Sequence, residues 1–163
     1  MTEAIVQRIA ESATHVAGLY HRLLLLVGPS GAGKSAALQR VAAAQGVAVI
    51  NLNLELSRAL LDVPRAQRSM TAPRALRRIA DCHPGDTMVA DNIEILFAPD
   101  LRLDPLRALQ QLSRNRTVIA AWLGSVDCGR LTYAKPSHPE FRDYSAQDLV
   151  TVSVAGSPLN APP

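Results

Sequence analysis

Gly28-Pro29-Ser30-Gly31-Ala32-Gly33-Lys34-Ser35 satisfies G-x-x-x-x-G-K-[ST] at every fixed position. The residues before it, Leu23–Val27, form an apolar run long enough for a buried strand. The residues after it, from Lys34 to about Ala44, read as a helix stopped by Gly46. Strand, glycine-rich turn and helix in that order set backbone N–H groups around an anion at the positive end of a helix dipole. The spacing predicts that Gly28, Pro29, Ser30, Gly31, Ala32, Gly33, Lys34, Ser35 and Ala36 cradle nucleotide phosphates. Lys34 is expected to reach the β- and γ-phosphates, and Ser35 to give its hydroxyl to Mg²⁺.

A phosphate loop of this kind needs an acid on a neighbouring buried strand to complete the metal side. Thr87-Met88-Val89-Ala90 is such a strand, and Asp91 ends it. Hydrolysis also needs a group that orients or deprotonates water. The position after Asp91 is Asn92, and the first carboxylate beyond is Glu94. Glu94 is the expected base, on condition that the chain turns tightly after Asp91. Asn92 is the alternative, a group that positions water without taking its proton and so implies slow turnover.

Working outward, apolar runs alternate with helical stretches. Thr2 to about Tyr20 has helical spacing at Ile5, Ile9, Ala13 and Val16. Val47–Leu52 reads as a strand, Ala72–Cys82 as a helix, and Asp104-Pro105 as the start of another helix. Thr117–Trp122, Arg130–Tyr133 and Leu149–Val154 read as further strands. Runs without a period of two mark a parallel sheet covered on both faces. The expected fold is α/β: a three-layer P-loop NTPase sandwich of the additional-strand (AAA/RecA-like) type. Its sheet order is 5-1-4-3-2, with Thr117–Trp122 between the phosphate-loop strand and the acid strand, and it carries no lid domain. One domain is expected over 1–154, with an N-terminal helix, and a flexible tail over 155–163.

At 163 residues and 48% apolar content, the chain suffices for one core without disulfide or metal. Cys82 and Cys128 stand apart, with no zinc-like spacing, which suits a reducing cytoplasm. No run approaches the ~20 apolar residues of a membrane span. The 17 basic residues comprise 15 arginines and two lysines, Lys34 and Lys135. Arg58, Arg65, Arg68, Arg74, Arg77 and Arg78 cluster against Asp62 alone. That stretch reads as a solvated face, a nucleic-acid patch or a subunit contact.

The phosphate loop, Asn51-Leu52-Asn53-Leu54, Asp91-Asn92-Ile93-Glu94 and Leu112-Ser113-Arg114-Asn115-Arg116-Thr117 together resemble the small P-loop protein of type 3 BREX bacteriophage-exclusion systems, the BrxF family. The similarity runs from about Tyr20 to Val150. The resemblance implies a bacterial cytoplasmic role in antiviral defence, beside a methyltransferase, a phosphatase-like protein and other BREX subunits. It also implies a core related to AAA-type ATPases. Apart from the resemblance, the sequence has no guanine-reading Asn-Lys-x-Asp motif, which points to ATP, with Mg²⁺ at Ser35 and Asp91.

Other features stay open at this level. Ser125 is the polar group nearest the end of Thr117–Trp122, where a γ-phosphate sensor is expected. Arg114 or Arg116 reads either as a complement to a helix C-terminus or as an arginine finger offered to a neighbouring copy. Without a lid, homo-oligomerisation or docking to a larger partner is expected, with DNA an open partner. Asn51 and Asn53 read as helix caps or partner contacts. The competing functions are a Mg-ATP hydrolase, a nucleotide-gated binding module with little hydrolysis, and a small nucleotide or metabolite kinase.

Overall fold

Leu23–Gly28, the strand β1, is buried at every residue. In the computed structural model, which describes residues 2–155, its side chains divide by parity. Leu23, Leu25 and Val27 enter one apolar cluster, and Leu24 and Leu26 enter another on the opposite face. A strand between two cores needs no polar positions, which is why the sequence shows a run instead of an alternation. Burying one such leucine contributes about 1.5–3 kcal/mol.

Around β1 the chain forms α1 (Thr2–Val16), α2 (Lys34–Gln45), β2 (Val49–Asn51), α3 (Leu52–Leu60), α4 (Arg68–Asp81), β3 (Thr87–Asp91), α5 (Pro105–Leu112), β4 (Thr117–Asp127), β5 (Arg130–Tyr133), β6 (Arg142–Ser145) and β7 (Val150–Ser153). The parallel sheet has the order β2-β3-β4-β1-β7. With the five parallel strands numbered by sequence, this is the 5-1-4-3-2 order. β4 lies between β3 and β1, in register from Thr117 opposite Thr87 and from Val118 opposite Leu23. α1 and α2 supply Ile9, Val16, Ala37 and Leu38 to one face. α3, α4 and α5 supply Leu56, Leu76, Leu109 and their neighbours to the other.

Several boundaries differ from the sequence reading. α1 ends at Val16, not near Tyr20. The second strand is only Val49–Asn51, because Leu52 already opens α3. α4 begins at Arg68 and carries Pro73 inside it, so the proline does not mark its start. β4 runs past Trp122 to Asp127, where it becomes one arm of an antiparallel sheet. Cys128 and Gly129, at φ 49° and 74°, make the two-residue turn into β5. Positive φ at both positions matches the twist of a tight hairpin. β6, Arg-Asp-Tyr-Ser, was not anticipated: it is polar and half-exposed and presents no apolar run.

Beneath the hairpin, Phe97 stacks on Tyr133 with centroids 3.5 Å apart, and Trp122 meets both rings edge-on. Trp122 donates its indole N–H to the Thr132 carbonyl at 3.1 Å. Of the expected tail, 155–163, only Ala155 falls within the described residues. No helix among the described residues is long and apolar enough to cross a membrane.

Candidate phosphate-binding site

All five strands of the parallel sheet point the same way, so the turn after β1 and the end of β3 open on one edge. The turn runs from Gly28 through Pro29, Ser30, Gly31 and Ala32 to Gly33, which precedes α2 in the left-handed region at φ 94°. Gly28 passes against the residue that follows β7, where a Cβ would come within 2.6 Å of the Val154 carbonyl oxygen. α2 opens at Lys34 with no side-chain cap. The N–H groups of Lys34, Ser35 and Ala36 have no intrahelical partner, as in any first helical turn, and they border the turn.

Lys34 folds back over this turn. Its ammonium donates to the Gly28 carbonyl at 2.8 Å and to the Pro29 carbonyl at 2.6 Å. Burial lowers its pKa, while Asp91 and then Glu94 act in the opposite sense. Ser35 Oγ donates to Asp91 Oδ2 at 2.6 Å. The other carboxylate oxygen of Asp91 accepts from the Asn92 N–H at 2.8 Å. The two ends of this carboxylate thus face α2 and its own strand end.

Asn92 sits at φ 51°. An asparagine tolerates this left-handed conformation better than most residues, and it supplies the tight turn after Asp91. The chain then enters a 3-10 turn, Glu94–Phe97. Glu94 is brought back toward the phosphate loop. Ser30, Gly31, Lys34, Ser35, Asp91, Asn92 and Glu94 all border one open cleft of about 360 Å³, which Ala121 and Leu123 of β4 also line.

Asn51 and Asn53 take different roles. Asn51 caps α3, accepting from the Leu54 N–H at 3.1 Å. Asn53 instead ties α3 to the acid strand. Its N–H donates to the Asn92 carbonyl at 2.8 Å, its amide oxygen accepts from the Ile95 N–H at 2.7 Å, and its amide nitrogen approaches Glu94 Oε2 at 3.4 Å. The sequence alone reads Asn53 as a cap or a partner contact. Only the return of Glu94 to the cleft makes it a positioning residue.

Three sequence candidates lie away from the cleft. Ser125 sits on the hairpin arm, 3.1 Å from Thr132 Oγ1, and the β4 residues that line the cleft, Ala121 and Leu123, are both apolar. Arg114 and Arg116 precede β4, at the opposite edge of the sheet, on the order of 20 Å from the phosphate loop at about 3.3 Å per strand residue. Arg116 donates to the carbonyls of Ala80 at 3.0 Å and His83 at 2.5 Å. It secures the C-terminus of α4, which is the helix-complement reading of this residue. Arg114 is exposed and lies over the Tyr20 ring, 5.2 Å from its centroid.

Sheet order and loop together define the fold of a P-loop NTPase. A solved structure shares it. The chain resembles a DNA replication initiation factor with a TM-score of 0.51 at 14% identity, over 91% of this chain and 44% of that one. It also overlays AMPPCP-bound DnaA from Aquifex aeolicus with a TM-score of 0.46 at 15% identity, over 91% and 44% of the two chains. PCH-2 from C. elegans gives 0.42 at 14% identity, over 96% and 42%. The chain therefore spans less than half the length of each of these proteins. No family model matches the sequence, and no curated protein matches it.

Proposed function

We propose that the chain is a Mg-ATP-binding P-loop ATPase subunit of a BREX-type anti-phage defence complex, acting there as a nucleotide-dependent regulator or motor. The observation that carries the nucleotide reading is the convergence of Lys34, Ser35, Asp91 and Glu94 on one cleft beside the uncapped start of α2. A hydroxyl and a carboxylate in contact form a hard oxygen donor set, which suits Mg²⁺. Ser35 and Asp91 would hold that ion, which when bound neutralises charge on the phosphates. Amides from Gly28 to Ala36, with the Lys34 ammonium, would hold the phosphates. Glu94, steadied by Asn53, would take a proton from water, and Asn92 would help to orient that water.

The defence role rests on the sequence resemblance. Other BREX proteins and further copies of this chain are its proposed partners, with Arg114 free to act across such a contact. DNA is a partner to be tested directly. The deciding experiment is calorimetry with Mg-ATP followed by a phosphate-release assay. Binding and release that both vanish in Lys34→Ala support the reading; absence of heat with the folded wild-type chain overturns it.

A second reading, a nucleotide-gated binding module with little hydrolysis, is favoured by Leu123 in the cleft wall. It predicts Mg-ATP binding without release above background, and no change in Glu94→Gln.

A further inference from the structure

A groove of about 760 Å³ lies between α3 and α4, twice the volume of the phosphate cleft and separate from it. Ala59 of α3 and Ala75 and Ile79 of α4 give it an apolar floor. Met70 stands on its rim with 79% of its surface exposed, and Leu61, just past α3, is 74% exposed. Exposed methionine is an adaptable apolar contact.

The charge around this floor is mainly basic, with two arginines against one acid, Glu55. Arg74 and Arg78 line the groove, one and two helical turns after Met70. Arg58 and Arg77 lie on the same two helices. None of these four arginines has an ion-pair partner among the described residues; the pairs present use other basic groups. Glu55, the acid in the groove, already faces His83 at 3.3 Å. An apolar strip between two helices, flanked by unpaired guanidinium groups, suits one kind of occupant.

We propose that this groove docks an acidic amphipathic helix of a partner protein. Leucine-like side chains at i, i+3/i+4 and i+7 would cover Ala59, Met70 and Ile79, and carboxylates would meet Arg74 and Arg78 bidentately. Nucleic acid fits less well, because no aromatic side chain lines the groove to stack a base and its floor is apolar. The site shares no lining residue with the phosphate cleft, so it is tested without nucleotide.

The test is fluorescence anisotropy with the full chain. The probes are a labelled synthetic helix of about 16 residues with a leucine stripe and glutamate flanks, its lysine-flanked twin, and a labelled oligothymidylate. Saturable binding of the glutamate helix is expected, weakened about tenfold or more, equivalent to ~1.4 kcal/mol, in Arg74→Glu/Arg78→Glu and again in Met70→Asp. The lysine twin should not saturate. Thermal melts monitored by circular dichroism confirm that these surface variants fold. Absent binding of the glutamate helix, or binding indifferent to both variants, overturns the proposal. So does saturable oligothymidylate binding that depends on Arg74 and Arg78 but not on Met70, which would make the stretch a nucleic-acid surface.

Discussion

Ser35 Oγ and Asp91 Oδ2, 56 positions apart in sequence, meet at 2.6 Å where α2 begins and β3 ends. The contact is a product of topology. β3 and β1 run parallel on either side of β4, and this brings the end of the acid strand level with the first turn of α2. A divalent cation requires hard oxygen atoms that converge, and the sheet brings one from each side of the fold.

Removing the Asp91 carboxylate or the Lys34 ammonium should disable nucleotide binding. Asp91→Ala and Lys34→Ala are expected to lower Mg-ATP affinity at least tenfold, a loss of ~1.4 kcal/mol or more, and to reduce phosphate release to background. Isothermal titration and a phosphate-release assay read the two effects. Asp91→Asn keeps an acceptor for Ser35 and should fold as the wild type does, which isolates the loss of charge.

Asn53 holds the turn that carries Glu94 through one acceptor contact, to Ile95 N–H, and one donor contact, to Glu94 itself. Asn53→Ala should cost about 1–2 kcal/mol of stability, the scale of one part-buried hydrogen bond and an unpaired amide. It should lower kcat several-fold while leaving ATP affinity within about twofold, because Asn53 touches no phosphate-loop residue. Asn53→Asp keeps the acceptor for Ile95 and places a like charge beside Glu94. Its kcat should fall further, and the pH profile for turnover should shift upward as the pair resists double ionisation.

What the sequence disclosed follows from how each feature is encoded. The phosphate loop is a contiguous string whose glycines and lysine are read directly, and Thr87–Asp91 shows itself by an apolar run ending in an acid. The strand between loop and acid in sequence suits the additional-strand type, and the expected sheet order is that type's order, not one encoded in any single residue. Asn53 and β6 escaped because neither has a local signal: Asn53 acquires its role from a residue 41 positions away, and β6 is a polar edge strand held by pairing to β5. Arg116 was ambiguous for a related reason. An arginine before a strand looks the same whether it caps a helix packed beside that strand or faces solvent.

Gly28 is required by close approach and not by its backbone angle. A Cβ there would press on the Val154 carbonyl, which belongs to the backbone and cannot swing away. Val154 N–H is bonded to the Val27 carbonyl at 2.7 Å, which ties the two segments together. Gly28→Ala should therefore destabilise the fold by about 1–3 kcal/mol, the range of overpacking, as a lower urea midpoint at unchanged m-value. Gly31→Ala meets no neighbour and acts only through its positive φ, so its cost should be near 1 kcal/mol.

Tyr133 gives stability an alkaline dependence. Its phenol pKa is pushed up to about 12, first by burial and then by Glu140 and Glu94. An unfolded tyrosine titrates near 10. The folded state thus favours the neutral phenol, and the stabilisation is fully present below pH ~10 and lost as pH rises toward 12. Urea midpoints measured from about pH 9 upward should fall less steeply in Tyr133→Phe than in the wild type. The difference curve isolates this residue from Tyr144, whose phenol is also raised, by burial and by its bond to Asp104.

Arg116 separates a structural role from a catalytic one. Its guanidinium holds the Ala80 and His83 carbonyls at the end of α4, and burial lowers its pKa while Asp81 and Asp86 oppose that effect. Replacing it by alanine leaves those carbonyls without their charged donor. Hydrogen bonds to charged groups are worth about 1.5–3 kcal/mol each, so Arg116→Ala should destabilise the fold on that scale, read as a lower urea midpoint at unchanged m-value. ATP affinity should be unchanged, since the residue lies at the far edge of the sheet from Lys34. Turnover per folded molecule should also be unchanged, at low and at high protein concentration. A finger acting between copies would give the reverse pattern: a wild-type urea midpoint, with turnover that fails to rise with concentration. Arg116→Lys refines the test. A single ammonium cannot span both carbonyls, so its stability should fall between wild type and alanine.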